Sequence, residues 1–203
     1  VKENLSYPKI LIITESPKGS KNGFGKTLDT FFYGWPKSCL HTMYTDYQFY
    51  KEFKNKRGFT FCHVPQHRGK RYAVTFLLGL KPEWRNRYSR RWLNKSLKEY
   101  RPEIVYTMFY SAECLKYAYW VASCYDAKLI SHIADDPFGE EVDEEIKNII
   151  QNSNDRFAIS KMSAIHYNKM FNCEFKVFHN GPTAEFFENR HKNRSESKKF
   201  LIR

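Results

Sequence analysis

The feature of this sequence that most restricts its fold is a series of short apolar runs separated by stretches of helical periodicity. The first run, residues 9–14, is continuously apolar from Ile10 to Ile13. Such a run is typical of a strand buried on both faces of a parallel sheet. Comparable runs occupy residues 59–64, 104–108, 128–133, 156–160 and 175–179, with 38–44 as a weaker candidate.

Between these runs, the apolar residues repeat with the period of a helix. Residues 115, 118, 119 and 122 follow the i, i+3, i+4, i+7 pattern, and residues 142, 146, 149 and 150 follow a similar one. Glu140, Glu141 and Asp143 are placed to favour the start of the second of these helices. Strands that alternate with helices predict an α/β fold with a doubly wound, mostly parallel sheet and helices on both faces.

Composition limits the functional classes. The 203 residues carry 34 Lys+Arg against 22 Asp+Glu, which gives a formal net charge of +12. A basic surface attracts nucleic acid, acidic lipid or phosphorylated small molecules, and charge alone does not choose among them. The aromatic content of 17% is too high for a disordered basic tail.

Cysteine usage and hydropathy bear on location. The five cysteines form no C-x-x-C pair and keep no zinc-ligand spacing with the histidines, which favours a reducing, cytoplasmic compartment. The opening residues lack a signal-peptide pattern, and no apolar run approaches the ~20 residues that span a bilayer. We therefore expect any membrane contact to be peripheral.

In doubly wound sheets, ligands bind at the carboxyl ends of the strands, and a glycine-containing loop follows the first run. Gly19 and Gly25 enclose five residues where a P-loop has four, and Leu28 stands where a dinucleotide fingerprint has its third glycine. Both motifs therefore match imperfectly. A flexible turn is one interpretation; a loop facing phosphate or sugar, with Gly23, Phe24 and Gly25 as binding residues, is the one we prefer.

Two carboxylates follow the run at 128–133. Asp135 and Asp136 can bind sugar hydroxyls, hold a metal or act as a base, and a plain helix N-cap is the alternative. His132, His166 and His179 are interpreted as structural and are assigned no role.

A basic and aromatic stretch covers residues 68–92. Its cations and amphipathic rings suit an anionic membrane interface, whereas nucleic acid is an unlikely partner because no RNA-recognition signature is present. A solvated basic face with inward-packed rings is the alternative. The predicted membrane contacts are Trp84, Arg85, Arg87, Arg90, Arg91 and Trp92.

Five segments, in order, resemble the amino-terminal domain of GT-B glycosyltransferases, particularly the retaining group similar to family 4. The first strand with residues 22–25 looks like that family's strand and glycine loop, and residues 101–106 look like its "rPDvvy" strand. Later come an apolar strand ending in an acid (128–136), a "d.vi..S" strand (155–160) and an "NG...F" segment (177–181 with Phe186 or Phe187). The family often has His directly before the acid, where this chain has Ala134.

The resemblance implies a Rossmann-like, acceptor-binding half of a transferase that moves a sugar from a nucleotide-sugar donor to a glycan or lipid-linked acceptor. It implies a catalytic role for Asp135, binding roles for Gly23, Phe24, Gly25, Asp136 and Ser160, and no cofactor. Residues 1–188 are expected to form this domain, and 189–203 to be a linker and the start of a missing nucleotide-sugar-binding domain. An ATP-binding P-loop protein and a basic nucleic-acid-binding module are the alternatives.

Overall fold

The fold is taken from a computed structural model of the chain, which describes residues 7–61, 91, 93–97, 100–135, 138 and 142–178. These residues form an α/β fold with a seven-stranded, all-parallel sheet. The strands are β1 (Ile10–Thr14), β2 (Leu40–Tyr44), β3 (Phe59–Phe61), β4 (Ile104–Phe109), β5 (Lys128–Ile133), β6 (Asp155–Ala158) and β7 (Lys176–Val177). The predicted α/β class and parallel sheet are confirmed.

The helices lie between the strands. They are α1 (Gly23–Phe31), α2 (Tyr50–Phe53), α3 (Ala112–Tyr125), α4 (Glu144–Gln151) and α5 (Lys161–Phe171), with short 3₁₀ turns at Lys37–Cys39 and Tyr47–Phe49. Residues 91 and 93–97 are also helical. The two helices predicted from periodicity are α3 and α4, and the weak strand candidate at 38–44 is β2.

The strand order across the sheet is β3-β2-β1-β4-β5-β6-β7. The chain therefore builds outward in one direction from β1 to β3, and then in the other direction from β4 to β7. This reversal places a topological switch point between β1 and β4, which pair in parallel along Ile10–Ile13.

The sheet separates two apolar cores, because alternate residues of each strand point to opposite faces. Leu11 and Ile13 pack with α3, α4 and α5 on one face, whereas Ile10 and Ile12 pack with Leu28 of α1 on the other. Helices therefore cover both faces, as expected for a Rossmann-like, doubly wound fold. The described part of the chain has no helix of the length and apolar character needed to cross a bilayer.

Candidate functional site

The carboxyl ends of β1 and β4 meet at the switch point, which we define by Glu15, Tyr110 and Ser111. Glu15 is the first residue after β1, and Tyr110 and Ser111 follow β4 directly. Because α1 and α3 pack on opposite faces of the sheet, the chain diverges here. In sheets of this type, such a divergence opens the crevice that receives the ligand.

Glu15 is buried at the switch point, with only 3% of its surface exposed. Its carboxylate accepts a hydrogen bond from the Ser111 hydroxyl at 2.6 Å and longer ones from the Tyr110 backbone N–H at 3.3 and 3.4 Å. The Ser111 hydroxyl in turn accepts from the Cys114 N–H at 3.3 Å and caps α3. The carboxylate is thus joined to the amino end of α3, where the helix dipole favours negative charge.

Burial nevertheless dominates the ionisation of this group. It raises the pKa of Glu15 to about 7, although hydrogen bonds from the Ser111 hydroxyl and from backbone N–H groups act in the opposite direction. A carboxyl with a pKa near neutrality can hold or release a proton at physiological pH, and such groups concentrate at functional sites. Glu15 is the strongest acid–base candidate in the described part of the switch point.

The walls of the switch point carry an exposed tyrosine and a second acid. Tyr110 is 40% exposed, and its ring packs edge-on against Phe24 with the ring centroids 5.2 Å apart. Burial, followed by the charge of Glu15, raises the pKa of Tyr110 to about 12, and Asp46 adds to the rise. The Asp46 backbone N–H donates to the Glu15 carbonyl oxygen at 3.2 Å, so the loop after β2 is attached directly to the loop after β1.

The glycine loop after β1 is closed on itself. The Asn22 side chain caps α1: its Oδ1 accepts from the Gly25 N–H at 2.9 Å and from the Ser20 hydroxyl at 2.8 Å. Its Nδ2 donates to the Ser16 hydroxyl at 2.9 Å. A P-loop leaves its N–H groups free for phosphate, whereas here a side chain already occupies the Gly25 N–H.

Gly25 is required by close packing. A Cβ at this position would lie 2.1 Å from Ser20 Oγ and 2.5 and 2.7 Å from the Ser20 backbone oxygen and nitrogen. Gly23 has open space around it and is exposed at the start of α1. Of the three loop residues predicted to bind ligand, Phe24 contacts a switch-point ring, Gly23 is accessible, and Gly25 fixes the shape of the loop.

Asp135 and Ser160 lie at the same edge of the sheet as Glu15, because both follow parallel strands. Asp135 is exposed two residues beyond β5. The N-cap of α4 is Asp143, whose Oδ1 accepts from the Glu145 N–H at 2.9 Å, so Asp135 does not cap that helix. Ser160 caps α5 by accepting from the Ser163 N–H at 3.0 Å, which gives its hydroxyl a structural task.

The other predicted contacts fall mainly outside the described residues. This holds for Asp136 and for Trp84, Arg85, Arg87, Arg90 and Trp92 of the basic, aromatic stretch. Arg91 is among the described residues, where its backbone is helical and its side chain is exposed. The boundary predicted at residues 188 and 189 also lies outside the described part.

His132 is buried on the α1 side of the sheet. Its Nδ1 lies 2.6 Å from the Tyr106 hydroxyl oxygen, and its ring stacks on Phe31 with centroids 5.5 Å apart. Burial lowers its pKa to about 4. Its surroundings are aromatic rings of the core, in agreement with the structural role predicted for it.

Sequence reasoning missed Glu15, Asp46 and Tyr110. Each lies one or two residues beyond a strand, as Asp135 does, and that position was the available signal. Within the described residues, no three His, Cys, Asp or Glu side chains are grouped so that they could hold a metal ion.

Sequence comparison adds no family assignment: no family model and no curated protein matches the chain. Its function therefore has to be inferred from the fold and from the polar groups at the carboxyl edge of the sheet.

Proposed function

We propose that this chain is the amino-terminal, acceptor-binding half of a GT-B glycosyltransferase that acts on a glycan or lipid-linked acceptor. The observation that supports this proposal most strongly is the pair of carboxyl groups at one edge of the sheet: buried Glu15 after β1 and exposed Asp135 after β5. The five segments that resemble the family add to it. A fold does not determine an activity, so the proposal rests on the polar groups at this edge of the sheet.

The chemistry of sugar transfer fits such an edge. An acceptor hydroxyl must be oriented and must lose its proton as the new glycosidic bond forms, and carboxylates are common partners for sugar hydroxyls and common bases. Exposed Asp135 is proposed to contact the hydroxyls. The buried Glu15 is proposed to position the switch-point loops, and its carboxyl, with a pKa near neutrality, is proposed to hold or release a proton at this edge. The nucleotide diphosphate would be held mainly by a second domain.

The closed glycine loop weighs against the ATP-binding alternative. The Gly25 N–H is already bonded to Asn22, and Lys26 lies inside the first turn of α1 rather than at its start. We therefore expect this chain not to hydrolyse ATP. Because the nucleotide diphosphate would be held mainly by a second domain, we also expect it to bind UDP-, GDP- and ADP-sugars weakly. Micromolar binding of Mg²⁺-ATP in calorimetry, lost in Lys26→Ala, would instead support a P-loop protein.

The test of sugar transfer uses the full-length gene product with labelled nucleotide sugars and glycan or lipid-linked acceptors. Asp135→Asn keeps the shape of the side chain and removes its charge, and it should lower turnover by ~10–1000-fold. Asp126→Asn is the matched control, because Asp126 is exposed at the opposite edge of the sheet, two residues before β5. Equal turnover in the two variants, or transfer of no sugar by the wild type, would contradict the proposal.

Peripheral attachment to a membrane is part of the same proposal, because lipid-linked acceptors lie at a membrane surface. The cations between residues 85 and 91 would contribute about 1 kcal/mol each near an anionic leaflet. Co-sedimentation with acidic vesicles at low salt should be lost when Arg85, Arg87, Arg90 and Arg91 are changed to Glu. Equal sedimentation of both forms would exclude this role.

A further inference from the structure

An exposed aromatic ring that packs on two other rings lies beside the switch point. Tyr47 is 67% exposed and follows Asp46, whose N–H is bonded to Glu15. The Tyr47 ring stacks on Tyr50 with centroids 5.4 Å apart and an interplanar angle of 11°, and Phe61 supports both rings edge-on at 5.7 and 5.2 Å. We call Tyr47, Tyr50 and Phe61 the aromatic shelf.

The shelf presents one open ring face. Tyr50 covers one face of the Tyr47 ring, so the exposed part of that side chain lies on the opposite face and on its edges. Tyr50 and Phe61 already restrict the Tyr47 side chain, so a ligand that stacks on Tyr47 causes little further loss of conformational entropy. A flat, fixed and accessible ring suits the C–H face of a pyranose, because apolar C–H groups pack against the negative face of an aromatic ring.

Cations share this face of the helical segment. Lys51 lies in the short helix α2 beside Tyr50, and Lys54 directly follows that helix, four residues after Tyr50, a spacing that places Tyr50 and Lys54 on one side of the helix. Lys54 Nζ lies 5.7 Å from the centroid of the Tyr50 ring. Both lysines are exposed, and neither has an ion-pair partner among the described residues, whereas Lys56 is paired with Glu52 at 3.3 Å. The unpaired positive charge of Lys54 therefore lies beside the Tyr50 ring of the shelf, and that of Lys51 is carried by the same short helix.

We propose that the aromatic shelf, with Lys51 and Lys54, binds an acidic saccharide, a sugar that carries carboxylate or phosphate groups, as the acceptor of the proposed transferase. This proposal rests on the proposed function and narrows its substrate class. The sugar ring stacks on Tyr47, and the lysines neutralise its acidic substituents. The Asp46 backbone N–H donates to the Glu15 carbonyl oxygen at 3.2 Å, so the shelf lies next to the switch point and an acceptor bound there lies beside the crevice.

The number of accessible rings argues against a nucleic-acid strand. Sites for single strands stack successive bases on several aromatic rings along a groove. The shelf offers one largely exposed ring, Tyr47, which suits a single sugar better than successive bases.

The test is calorimetry on this chain with three probes: trigalacturonate, neutral maltotriose and the oligonucleotide (dT)₈. Trigalacturonate should bind more tightly than maltotriose, and Tyr47→Ala should weaken it by about tenfold or more, as expected for loss of one stacking contact. Lys54→Gln should weaken it less and reduce its salt dependence. Tyr33→Ala, which removes a tyrosine that is 83% exposed and follows α1, should leave the affinity unchanged.

Glucose 1-phosphate with its neutral counterpart, methyl glucoside, distinguishes phosphate from carboxylate as the acidic group. Equal affinity for trigalacturonate and maltotriose, or no loss in Tyr47→Ala, would overturn the acidic-saccharide site. Tighter binding of (dT)₈ that depends on Tyr47 would replace it with a nucleic-acid site. Saccharide binding that depends on Tyr47 in a protein without transfer activity would contradict only the proposed function, because the sugar-transfer assay with Asp135→Asn is separate.

Discussion

The hydroxyl of Ser111 donates a 2.6 Å hydrogen bond to the carboxylate of Glu15 and joins residues 96 positions apart in the chain. It connects the carboxyl end of β1 to the amino end of α3 across the switch point. Around this bond, Glu15 has only donors as partners: the Ser111 hydroxyl and backbone N–H groups. The ionised carboxyl therefore accepts hydrogen bonds from both groups, but burial favours the neutral form.

The first prediction concerns stability against pH in Glu15→Gln. The pKa of Glu15 is about 7 in the folded protein and near 4.5 when exposed, so the folded state binds more protons between these pH values. This group alone therefore makes stability fall as pH rises from about 4.5 to 7, by roughly 3 kcal/mol. Glu15→Gln removes this dependence.

The measurement is urea unfolding of wild type and Glu15→Gln at several pH values. His41 and His132, whose pKa values burial lowers to about 4, change stability in the opposite direction over an overlapping range. We therefore compare the free energies of unfolding of the two proteins at each pH. The free energy of unfolding of Glu15→Gln should increase relative to that of the wild type as pH rises. A constant difference would show that folding does not raise the pKa of Glu15.

Much of the fold could be predicted from sequence because burial leaves a local pattern. The apolar run that became β1 is buried on both faces, and each residue from Ile10 to Thr14 is inaccessible or nearly so. The period of α3 likewise reports its core-facing side. These signals depend on neighbours a few residues apart, which a single sequence displays.

The site was predicted less well because its contacts are long-range. Glu15 looks like an ordinary charged residue at the end of a strand, and its environment is set by Tyr110 and Ser111, which reach it only when β4 pairs with β1. The glycine loop was predicted to face phosphate or sugar, but the sequence does not reveal that the Asn22 side chain occupies the Gly25 N–H and that Gly25 packs on Ser20. Asp135 was placed correctly at the edge because its position follows directly from the end of a strand.

A second prediction concerns the glycine loop. Gly25→Ala should lower the free energy of unfolding by about 1–3 kcal/mol, because the Ser20 backbone would have to move away from the new methyl group. Gly23→Ala is the control, since nothing lies within 4 Å of a Cβ there. Chemical denaturation of both variants measures the difference. Equal stability would mean that the loop opens at little cost.

A third prediction concerns the buried pair on the α1 side of the sheet. Tyr106→Phe removes the hydroxyl that lies 2.6 Å from His132 Nδ1 and leaves that nitrogen buried without its partner. The expected loss is about 1–3 kcal/mol in urea unfolding. Tyr33→Phe should cost nothing measurable, because Tyr33 is 83% exposed. A Tyr106→Phe protein as stable as wild type would show that the bond contributes nothing net.

The central claim is that the carboxyl edge around the β1–β4 switch point is the ligand site of a sugar-transferring enzyme. The most direct measurement is a ¹H–¹⁵N NMR titration of this chain with UDP-glucose, GDP-mannose and trigalacturonate up to about 10 mM, a range that detects weak binding. The shifted amides should be those of Glu15, Gly23, Asp46, Tyr110 and Asp135, with Asp126 at the opposite edge unaffected. Shifts centred on the Asp126 edge, or none with any of the three ligands, would contradict this account.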